Sequence, residues 1–509
     1  MAIIGVLVIA GYFLVRTFLH TDAKPASTAP TSLEAAIDLR PSIIAKINEV
    51  INKGSDGLYS FTTKDMTLDV LTGTVHFLEP KLTPDLSKLP LLEEQRKAPD
   101  DVFTISLNSL TVEGIGLKDF TSKKDIDLDA LEFINPTIKV YHKKRTYNQS
   151  TIKDTATLYQ RIMQNMEHIG IKKLVIKNGT IINENVAKNK TTKVQNVSVD
   201  LENILIDSST QYSKDRFLFA EKAAIQIKNY HSKTTDNLYE LSTELIKISG
   251  TNNLMSISNL NLLPIGNKED FERKVGHMQE RYSIKVPSLQ FKKMDWWALF
   301  NEEAFTAQEV EMSNSNIEVY LDRTKQPPTK TKIGKYPHQL LMKLPLQVNI
   351  KQLNINNAEV MYEELNPVSG KSGKLYLNNL NAHAINVTNE KDQISKNRFS
   401  KVSATALIKK TVPLSAHLSF DLKQYKSGNF TAQVKIGATD NRKIINEVAE
   451  PLGLLSIKTG SISNLSSTIS GNNIQGSGKV LLAYNDLHIS LLKKDETESD
   501  GLGKNPKRI

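Results

Sequence analysis

The sequence predicts a mainly β protein: an elongated, twisted antiparallel sheet with an internal tandem repeat, a few short α-helices and an N-terminal transmembrane helix. From Gly57 onward most of the chain alternates apolar and polar residues with period two, the pattern of half-buried strands. Residues 103–178 align without gaps on residues 282–357, an offset of 179, with sixteen identities in 76 positions. The first nineteen residues are apolar except for Arg16 and Thr17.

The apolar segment at residues 1–20 predicts a membrane anchor. At about 1.5 Å per residue such a helix nearly spans a hydrocarbon core of about 30 Å. A cleaved secretory signal is the alternative, but no Lys or Arg precedes the apolar run, which favours an anchor. Residues 21–32, rich in Pro, Ala, Ser and Thr, predict a linker. The predicted anchor residues are Ile3, Val6, Leu7, Ile9, Phe13 and Leu14.

A helix and a first set of strands are predicted next. Pro41 suits a first helical turn and Gly54 a helix end, while Thr67–Leu71 and Thr74–Phe77 alternate as strands. Further helices are predicted at Asp154–His168 and Asn441–Leu454. The predicted organisation after the linker is 33–102 for the N-terminal helix and strands, 103–281 and 282–460 for the two repeats, 461–492 for terminal strands and 493–509 for a charged tail.

The two repeats keep the phase of their strands, which is stronger evidence than their identity. If the inward face of each strand is retained, the same positions face the same side in both copies. Pro337 and Pro345 in the second copy predict that the helix of the first copy is shorter or lost there. The matched pairs include Phe103 with Tyr282, Ile105 with Ile284, Leu107 with Val286, Leu110 with Leu289, Ile171 with Ile350, Leu174 with Leu353, and Ile176 with Ile355.

Composition and motifs exclude several classes of function. The chain has 65 Lys and Arg against 55 Asp and Glu, a formal net charge of +10, which favours anionic surfaces. These charges are scattered and no zinc-finger, RRM or KH pattern occurs, so no nucleic-acid partner is predicted. Cysteine is absent, the ten His are isolated, and there is no HExxH, GxSxG or P-loop. We therefore predict no metal, no cofactor and no enzyme activity.

The apolar face of the sheet is largely aliphatic, since only 6% of the residues are aromatic. Such a face can pack on itself as a dry sandwich, or a curled sheet can enclose lipid tails, and periodicity leaves both open. Trp296 and Trp297 are expected at a strand-to-helix junction, more as core than as a membrane contact. The candidate lipid-contacting residues are the repeated inward positions Ile105, Leu107, Leu174, Ile176, Ile284, Val286, Leu353 and Ile355.

Four stretches, together with the N-terminal anchor, carry a resemblance to a known family. They are Ser60–Phe77; the units of strand, Asn-Gly or Asn-Ala, strand at Lys172–Ile181 and Lys351–Val360; Met294–Trp297; and Gly460–Leu465 with Ile469–Asn472. With these features the chain resembles, over nearly its whole length, the AsmA-like proteins of bacterial envelopes, relatives of TamB and of the chorein-type bridge lipid-transfer proteins.

The resemblance implies a single-pass inner-membrane protein with most of its chain in the periplasm and a β-groove lined by aliphatic side chains. Its implied partners are phospholipid or another anionic lipid, the inner membrane and envelope proteins, and its implied role is lipid transport or outer-membrane assembly. The alternative is a non-enzymatic structural or regulatory envelope scaffold that binds a protein partner. The chain has fewer repeats than the larger relatives and ends in a charged tail rather than further sheet.

Overall fold

The computed structural model describes residues 40–69, 71–114, 125–148, 167–185, 190–302, 304–328 and 333–492. The chain is mainly β, and its strands are mostly antiparallel. Within the described ranges, no helix is both long enough and apolar enough to cross a membrane. The predicted anchor at 1–20, the linker at 21–32 and the tail at 493–509 lie outside these ranges.

The described residues contain seven α-helices and 23 strands. The helices are α1 (Arg40–Gly54), α2 (Leu89–Glu94), α3 (Lys268–Val275), α4 (Trp296–Asn301), α5 (Pro337–Leu341), α6 (Lys391–Lys396) and α7 (Arg442–Gly453). The first eleven strands are β1 (Tyr59–Thr62), β2 (Asp65–Asp69), β3 (Thr74–Leu78), β4 (Lys81–Pro84), β5 (Asp101–Ser106), β6 (Ser109–Glu113), β7 (Asp125–Ile134), β8 (Thr137–His142), β9 (His168–Asn185), β10 (Lys190–Ile206) and β11 (Ala220–Lys233). The other twelve are β12 (Tyr239–Ser249), β13 (Leu254–Pro264), β14 (Arg281–Met294), β15 (Ala304–Ser313), β16 (Asn316–Asp322), β17 (Gln347–Leu365), β18 (Ser372–Thr388), β19 (Phe399–Ile408), β20 (Val412–Asp421), β21 (Phe430–Ile436), β22 (Leu455–Gly471) and β23 (Gly476–Leu491).

The chain divides into two compact units. The first contains the residues up to 230 with 245–253 and 300–302, and the second contains the remainder. In the first unit, β5 and β6 pair antiparallel with β8 and β7, and β9 pairs antiparallel with β10, which pairs with β11. In the second unit, β13 pairs antiparallel with β14, and consecutive strands from β17 to β23 all pair antiparallel.

Each unit contains one parallel step, which the prediction of an antiparallel sheet missed. In the first unit β7 and β8 run parallel to β9, and in the second β15 and β16 run parallel to β17. A parallel step needs a crossover of about a dozen residues or more, because the chain must return to the starting end of the sheet. The paired strands are connected by residues 143–167 in the first unit and by residues 323–346 in the second. The sequence did not reveal the parallel step, because alternating apolar residues occur in parallel and antiparallel strands alike.

The strand register of the first unit recurs in the second, at an offset of 179 residues within 103–178, of 180 residues before this stretch and of 183 residues after it. Asp125 pairs with His168, and Ala304 pairs with Gln347. The later pair Ile176 and Val199 likewise corresponds to Ile355 and Ala382. The equivalence extends upstream of residue 103, since Phe77 with Leu110 corresponds to Ile257 with Leu289. The two copies therefore have the same hydrogen-bonded framework.

Asparagines with positive φ interrupt the strands at equivalent positions. Asn178 and Asn357 have φ of 55° and 54°. Each donates its side-chain amide to another asparagine with positive φ in the break between the two preceding strands, Asn178 to Asn135 at 3.1 Å and Asn357 to Asn314 at 2.8 Å. Asparagine tolerates this left-handed conformation better than most residues. The Asn-Gly and Asn-Ala units are thus bulges within the continuous strands β9 and β17, and such bulges re-aim the side chains that follow.

Helix α1 packs on the start of the first unit, as its apolar spacing predicts. Its residues Ile47 and Ile51 are buried, and the Asn48 side chain both accepts from the backbone N–H of Phe61 at 2.7 Å and donates to its carbonyl at 2.7 Å. Helix α1 is therefore bound to the backbone of β1 by side-chain hydrogen bonds, in addition to its apolar contacts.

The other predicted helices have different outcomes. The one predicted at Asn441–Leu454 is α7, Arg442–Gly453, with Asn441 and Leu454 as its caps. Of the helix predicted at Asp154–His168, residues 154–166 lie outside the described ranges, and His168 is instead the first residue of β9. The shorter helix expected in the second copy is the five-residue α5.

Candidate functional site: the apolar face of the second unit

The sheet of the second unit has a polar face and an apolar face. On the polar face, one cross-strand row contains Glu311, Asn354, His383, Ser403 and His417. These side chains bond to their neighbours across the strands: His383 Nδ1 lies 2.7 Å from Asn354, and His417 Nδ1 lies 3.1 Å from Ser403. Polar side chains on this face therefore find hydrogen-bond partners on the neighbouring strands.

The apolar face consists of three cross-strand rows, set by the pairing register. Paired residues on adjacent strands point to the same face, so the rows can be followed from strand to strand. The first row is Ile257, Leu289, Met312, Ile355, Ala382, Ala404, Ala416 and Val434. The second is Met255, Phe291, Val310, Leu353, Ala384, Val402, Leu418 and Ala432, and the third is Leu262, Ile284, Ile317, Val360, Leu377 and Ile408.

All residues of the first row are apolar, yet every one of them is only half-buried. In the first unit the equivalent row is Phe77, Leu110, Phe133, Ile176 and Val199, and each of these side chains is at most 3% exposed. The first-unit equivalent of the third row contains Phe61, Leu82, Ile105 and Ile138. It lies on the same face as Phe77, since the rings of Phe61 and Phe77 make an edge contact at 5.6 Å between centroids. The same framework is therefore dry core in one unit and accessible in the other.

The predicted lipid-contacting residues divide along this line. Ile105, Leu174 and Ile176 of the first unit are buried, and Leu107 is half-buried at the break between β5 and β6. Ile284, Leu353 and Ile355 of the second unit are half-buried, while Val286 is buried. The structure brings each set onto one face of its unit, but only the second set retains exposed apolar surface in a continuous arrangement.

Three consecutive alanines on neighbouring strands widen the space above the apolar face. Ala382, Ala404 and Ala416 lie side by side in the first row, whereas the first unit has Val199 at the position of Ala382. Small side chains leave volume above the strands that larger residues would fill. The sequence shows these residues as part of an apolar face, but not that they are adjacent.

One end of the apolar face is covered by α7. The Leu452 side chain lies against Gly373, where an added Cβ would meet it at 2.5 Å. The helix is further bound by Asn366, which donates to the Leu452 carbonyl at 3.0 Å, and by Ser369, which donates to the Pro451 carbonyl at 2.7 Å. The face therefore stops at this helix.

The other end is covered by the α5 segment. His338 is 2% exposed and stacks on Phe420 with ring centroids 5.2 Å apart, and Tyr336 packs on Phe430 at 5.1 Å. Neither ring nitrogen of His338 has a hydrogen-bond partner among the described residues. Burial lowers the pKa of His338, and the negative charge of Asp421 opposes that shift. The neutral ring thus completes an apolar cap.

An ion pair lies beside this cap. Burial alone would raise the pKa of Asp421, but the hydrogen bonds from Arg398 and from the backbone N–H groups of Gln424 and Lys423 outweigh it and lower the pKa. The carboxylate therefore stays ionised, and its charge is held by the loop that follows β20.

Other features of the unit offer less. Trp296 is buried and Trp297 half-buried at the start of α4, directly after β14, as the sequence predicts. A shallow, open depression of about 440 Å³ involves Thr405, Ser415 and Lys435, which form a row on the polar face rather than the apolar one. In the described part of the chain, no group of three or more His, Asp or Glu side chains is placed to hold a metal ion.

No protein-family model matches the chain, and no curated protein matches it either.

Proposed function

We propose that the protein binds phospholipid acyl chains on the apolar face of its second unit, and that it supports lipid transport or outer-membrane assembly in a bacterial envelope. The observation that carries this proposal is that every residue of the first apolar row is half-buried. In the first unit the side chains of the equivalent row are each at most 3% exposed. An apolar face of this extent that remains accessible is characteristic of a binding surface.

The chemistry of the lining suits acyl chains. Residues such as Ile355, Leu353 and Met312 offer aliphatic surface without directional polar groups. Burying a methylene group gains about 0.8 kcal/mol, so even a short stretch of acyl chain along the rows would bind appreciably. The alanines at 382, 404 and 416 leave room for it.

The polar face and the net charge support the same proposal. The side chains of the polar row hydrogen-bond to one another across the strands and face water, while the apolar rows would face the ligand. This is the arrangement expected for a sheet that separates lipid from solvent. The formal charge of +10 suits anionic headgroups. The resemblance to the AsmA-like proteins agrees with an envelope role and an inner-membrane anchor.

The proposal is tested by measuring phospholipid that co-purifies with the full chain, using mass spectrometry. The double variant Ile355→Asp with Ala404→Asp places two charges in the first apolar row, and we expect it to lose at least about fivefold of the bound lipid because an ionised carboxylate is costly in an acyl-lined site. The matched control is Asn354→Asp with Ser403→Asp, which places the same two charges on the polar face of β17 and β19.

Circular dichroism should show that all three proteins keep their strand content. Lipid at the level of an unrelated membrane protein in the wild type, or equal lipid in the variant and control, would contradict acyl binding on this face.

A second candidate function is a scaffold that binds a protein partner through an edge strand. Among the described residues β23 pairs only with β22, and several of its apolar side chains are exposed, with Val480 at 63% and Tyr484 at 55%. An exposed apolar edge favours pairing with another strand. Cross-linking that yields a stoichiometric protein partner, abolished by Leu482→Pro and without bound lipid, would favour the scaffold.

A further inference from the structure

The loops at one end of the second unit are joined into a single surface. Strand β17 begins there, β18 ends there, and the alternation continues to β23. We call this surface the loop end; its segments are residues 333–346, 389–398, 422–429 and 472–475.

Gln339 holds three of these segments together. It is 2% exposed, and its side-chain amide donates to the Tyr425 carbonyl at 2.8 Å and to the Asn473 side chain at 3.1 Å. Asn473 in turn donates to the Lys426 carbonyl at 2.7 Å, and its backbone N–H donates to the Ser427 carbonyl at 2.8 Å. The positions of these loops relative to one another are therefore fixed by hydrogen bonds, of which those from Gln339 are part-buried.

Large apolar side chains project from this surface into solvent. Ile474, at the tip of the β22–β23 connection, is 93% exposed. Leu340 in α5 and Leu344, three residues after the end of that helix, are 50% and 48% exposed. Turn positions favour Gly, Asn, Asp, Ser and Pro, so the conformation of the turn does not explain an isoleucine at its tip. The hydrogen bond between Gln339 and Asn473 brings the segments of Leu340 and Ile474 together.

The charge around these side chains is positive. The segments 333–346, 422–429 and 472–475 contain Lys335, Lys343, Lys423 and Lys426, all exposed, and no acidic residue. The fourth segment, 389–398, has three basic residues, Lys391, Lys396 and Arg398, against the two acidic residues Glu390 and Asp392. Asp421, which ends β20, is paired with Arg398. Among the residues that the structure describes, Lys343 donates only to the neutral carbonyl of Gly334, and no acidic side chain there pairs with its charge.

We propose that the loop end docks onto an anionic lipid bilayer, with Leu340, Leu344 and Ile474 entering the acyl region and the four lysines at the headgroups. Exposed apolar tips beside exposed lysines match the layered chemistry of a bilayer interface, where acyl chains lie directly beneath anionic groups. An acidic protein surface would match the lysines but would not receive an almost fully exposed isoleucine at a turn tip. The docking does not depend on acyl binding by the apolar rows, which contain none of these residues.

The absence of cysteine from the chain allows a direct test. The full chain carrying Ile474→Cys is labelled with the fluorophore NBD and held in neutral phosphatidylcholine nanodiscs. Vesicles of phosphatidylcholine and phosphatidylglycerol, about 70 to 30, are then added with spin-labelled lipid, which quenches NBD only at acyl depth. The matched control is Val368→Cys, an exposed apolar position in the connection between β17 and β18, at the other end of these strands.

We expect a blue shift and quenching at position 474 with anionic vesicles, little effect with phosphatidylcholine vesicles, and none at position 368. Leu340→Cys should behave like Ile474→Cys, which checks that the label itself does not create the contact. Adding Lys343→Ala and Lys426→Ala should raise the vesicle concentration needed by about 25-fold, about fivefold per lysine.

Three results would overturn the proposal: no quenching at 474 and 340 with any vesicle, equal quenching with neutral vesicles, or equal quenching at 368. The first would assign the loop end to a protein partner instead. Lipid co-purification is measured separately, so failed docking and failed acyl binding remain distinguishable.

Discussion

The two copies of the repeat share one framework but differ in what covers it. Ile176 and Ile355 are the same residue at the same register position, and so are Leu174 and Leu353. The first member of each pair is at most 3% exposed, whereas the second is half-buried. Strand pattern therefore determines the ladder, but it does not determine how exposed the apolar face is. The comparison also supplies matched positions at which that difference can be measured.

The largest difference is expected from a charge at the equivalent isoleucines. Ile176→Asp should destabilise the protein by about 4 kcal/mol or more, because it leaves an unpaired carboxylate in dry core. Ile355→Asp should cost about 1 kcal/mol, because its carboxylate can remain hydrated. Urea unfolding followed by circular dichroism measures both, and fluorescence of Trp296 and Trp297, the only tryptophans, reports on the second unit.

The control for these variants is Ile→Val at each position, which removes one methylene group without charge. Equal losses from the two aspartates would mean that the second unit is as dry as the first, and would also remove the basis for acyl binding there.

Truncation of the equivalent leucines should show the same contrast on a smaller scale. Leu174→Ala should cost about 2 to 5 kcal/mol, since it leaves a cavity in close-packed core. Leu353→Ala should cost about 1 kcal/mol, because part of its side chain already contacts solvent. The measurement is the urea midpoint together with its slope, and a larger loss at 353 than at 174 would reverse the contrast.

Sequence reasoning could predict the framework because the framework is local. Alternation predicted strands such as β2 and β3, Pro41 and Gly54 predicted α1, and the offset of 179 predicted which residues are equivalent. The parallel steps were missed, because period two is the same for either strand direction. The bulges at Asn178 and Asn357 were also missed, because Asn-Gly more commonly marks a turn.

The candidate site was less predictable for a physical reason. Leu174 and Leu353 lie in similar local sequences, with five identical residues in eight between 171–178 and 350–357, and both segments alternate in the same way. That local pattern does not indicate which leucine is buried and which is accessible. The alanines at 382, 404 and 416 become neighbours only through pairing of three strands. Gln339 gives no sequence signal either, since its hydrogen-bond partners lie 86 and 134 residues away.

The bulge asparagines should be equally important in both copies, which tests whether the framework is truly shared. Asn178→Ala and Asn357→Ala should each cost about 2 kcal/mol, from a strained left-handed alanine and one lost hydrogen bond. Glycine at either position should restore roughly half of this, because it removes the strain but not the lost hydrogen bond. Thermal unfolding measures all four variants, and a loss confined to one copy would mean that the bulges have different roles.

The smallest expected effect concerns the equivalent arginines Arg216 and Arg398, whose partners differ. Arg398 pairs with the buried Asp421, whereas Arg216 pairs with the half-exposed Glu221. Because the pKa of Asp421 is lowered in the folded protein, its contribution to stability is present above the unfolded pKa near 4 and is lost as the pH falls through the folded value. Asp421→Asn should therefore cost about 1 kcal/mol at neutral pH and flatten the loss of stability that occurs as the pH falls below about 4. Glu221→Gln should cost less than about 0.5 kcal/mol at neutral pH, as for other exposed pairs. Thermal unfolding across this pH range decides the matter, and an unchanged acid profile in Asp421→Asn would show that this ion pair does not stabilise the cap of the second unit.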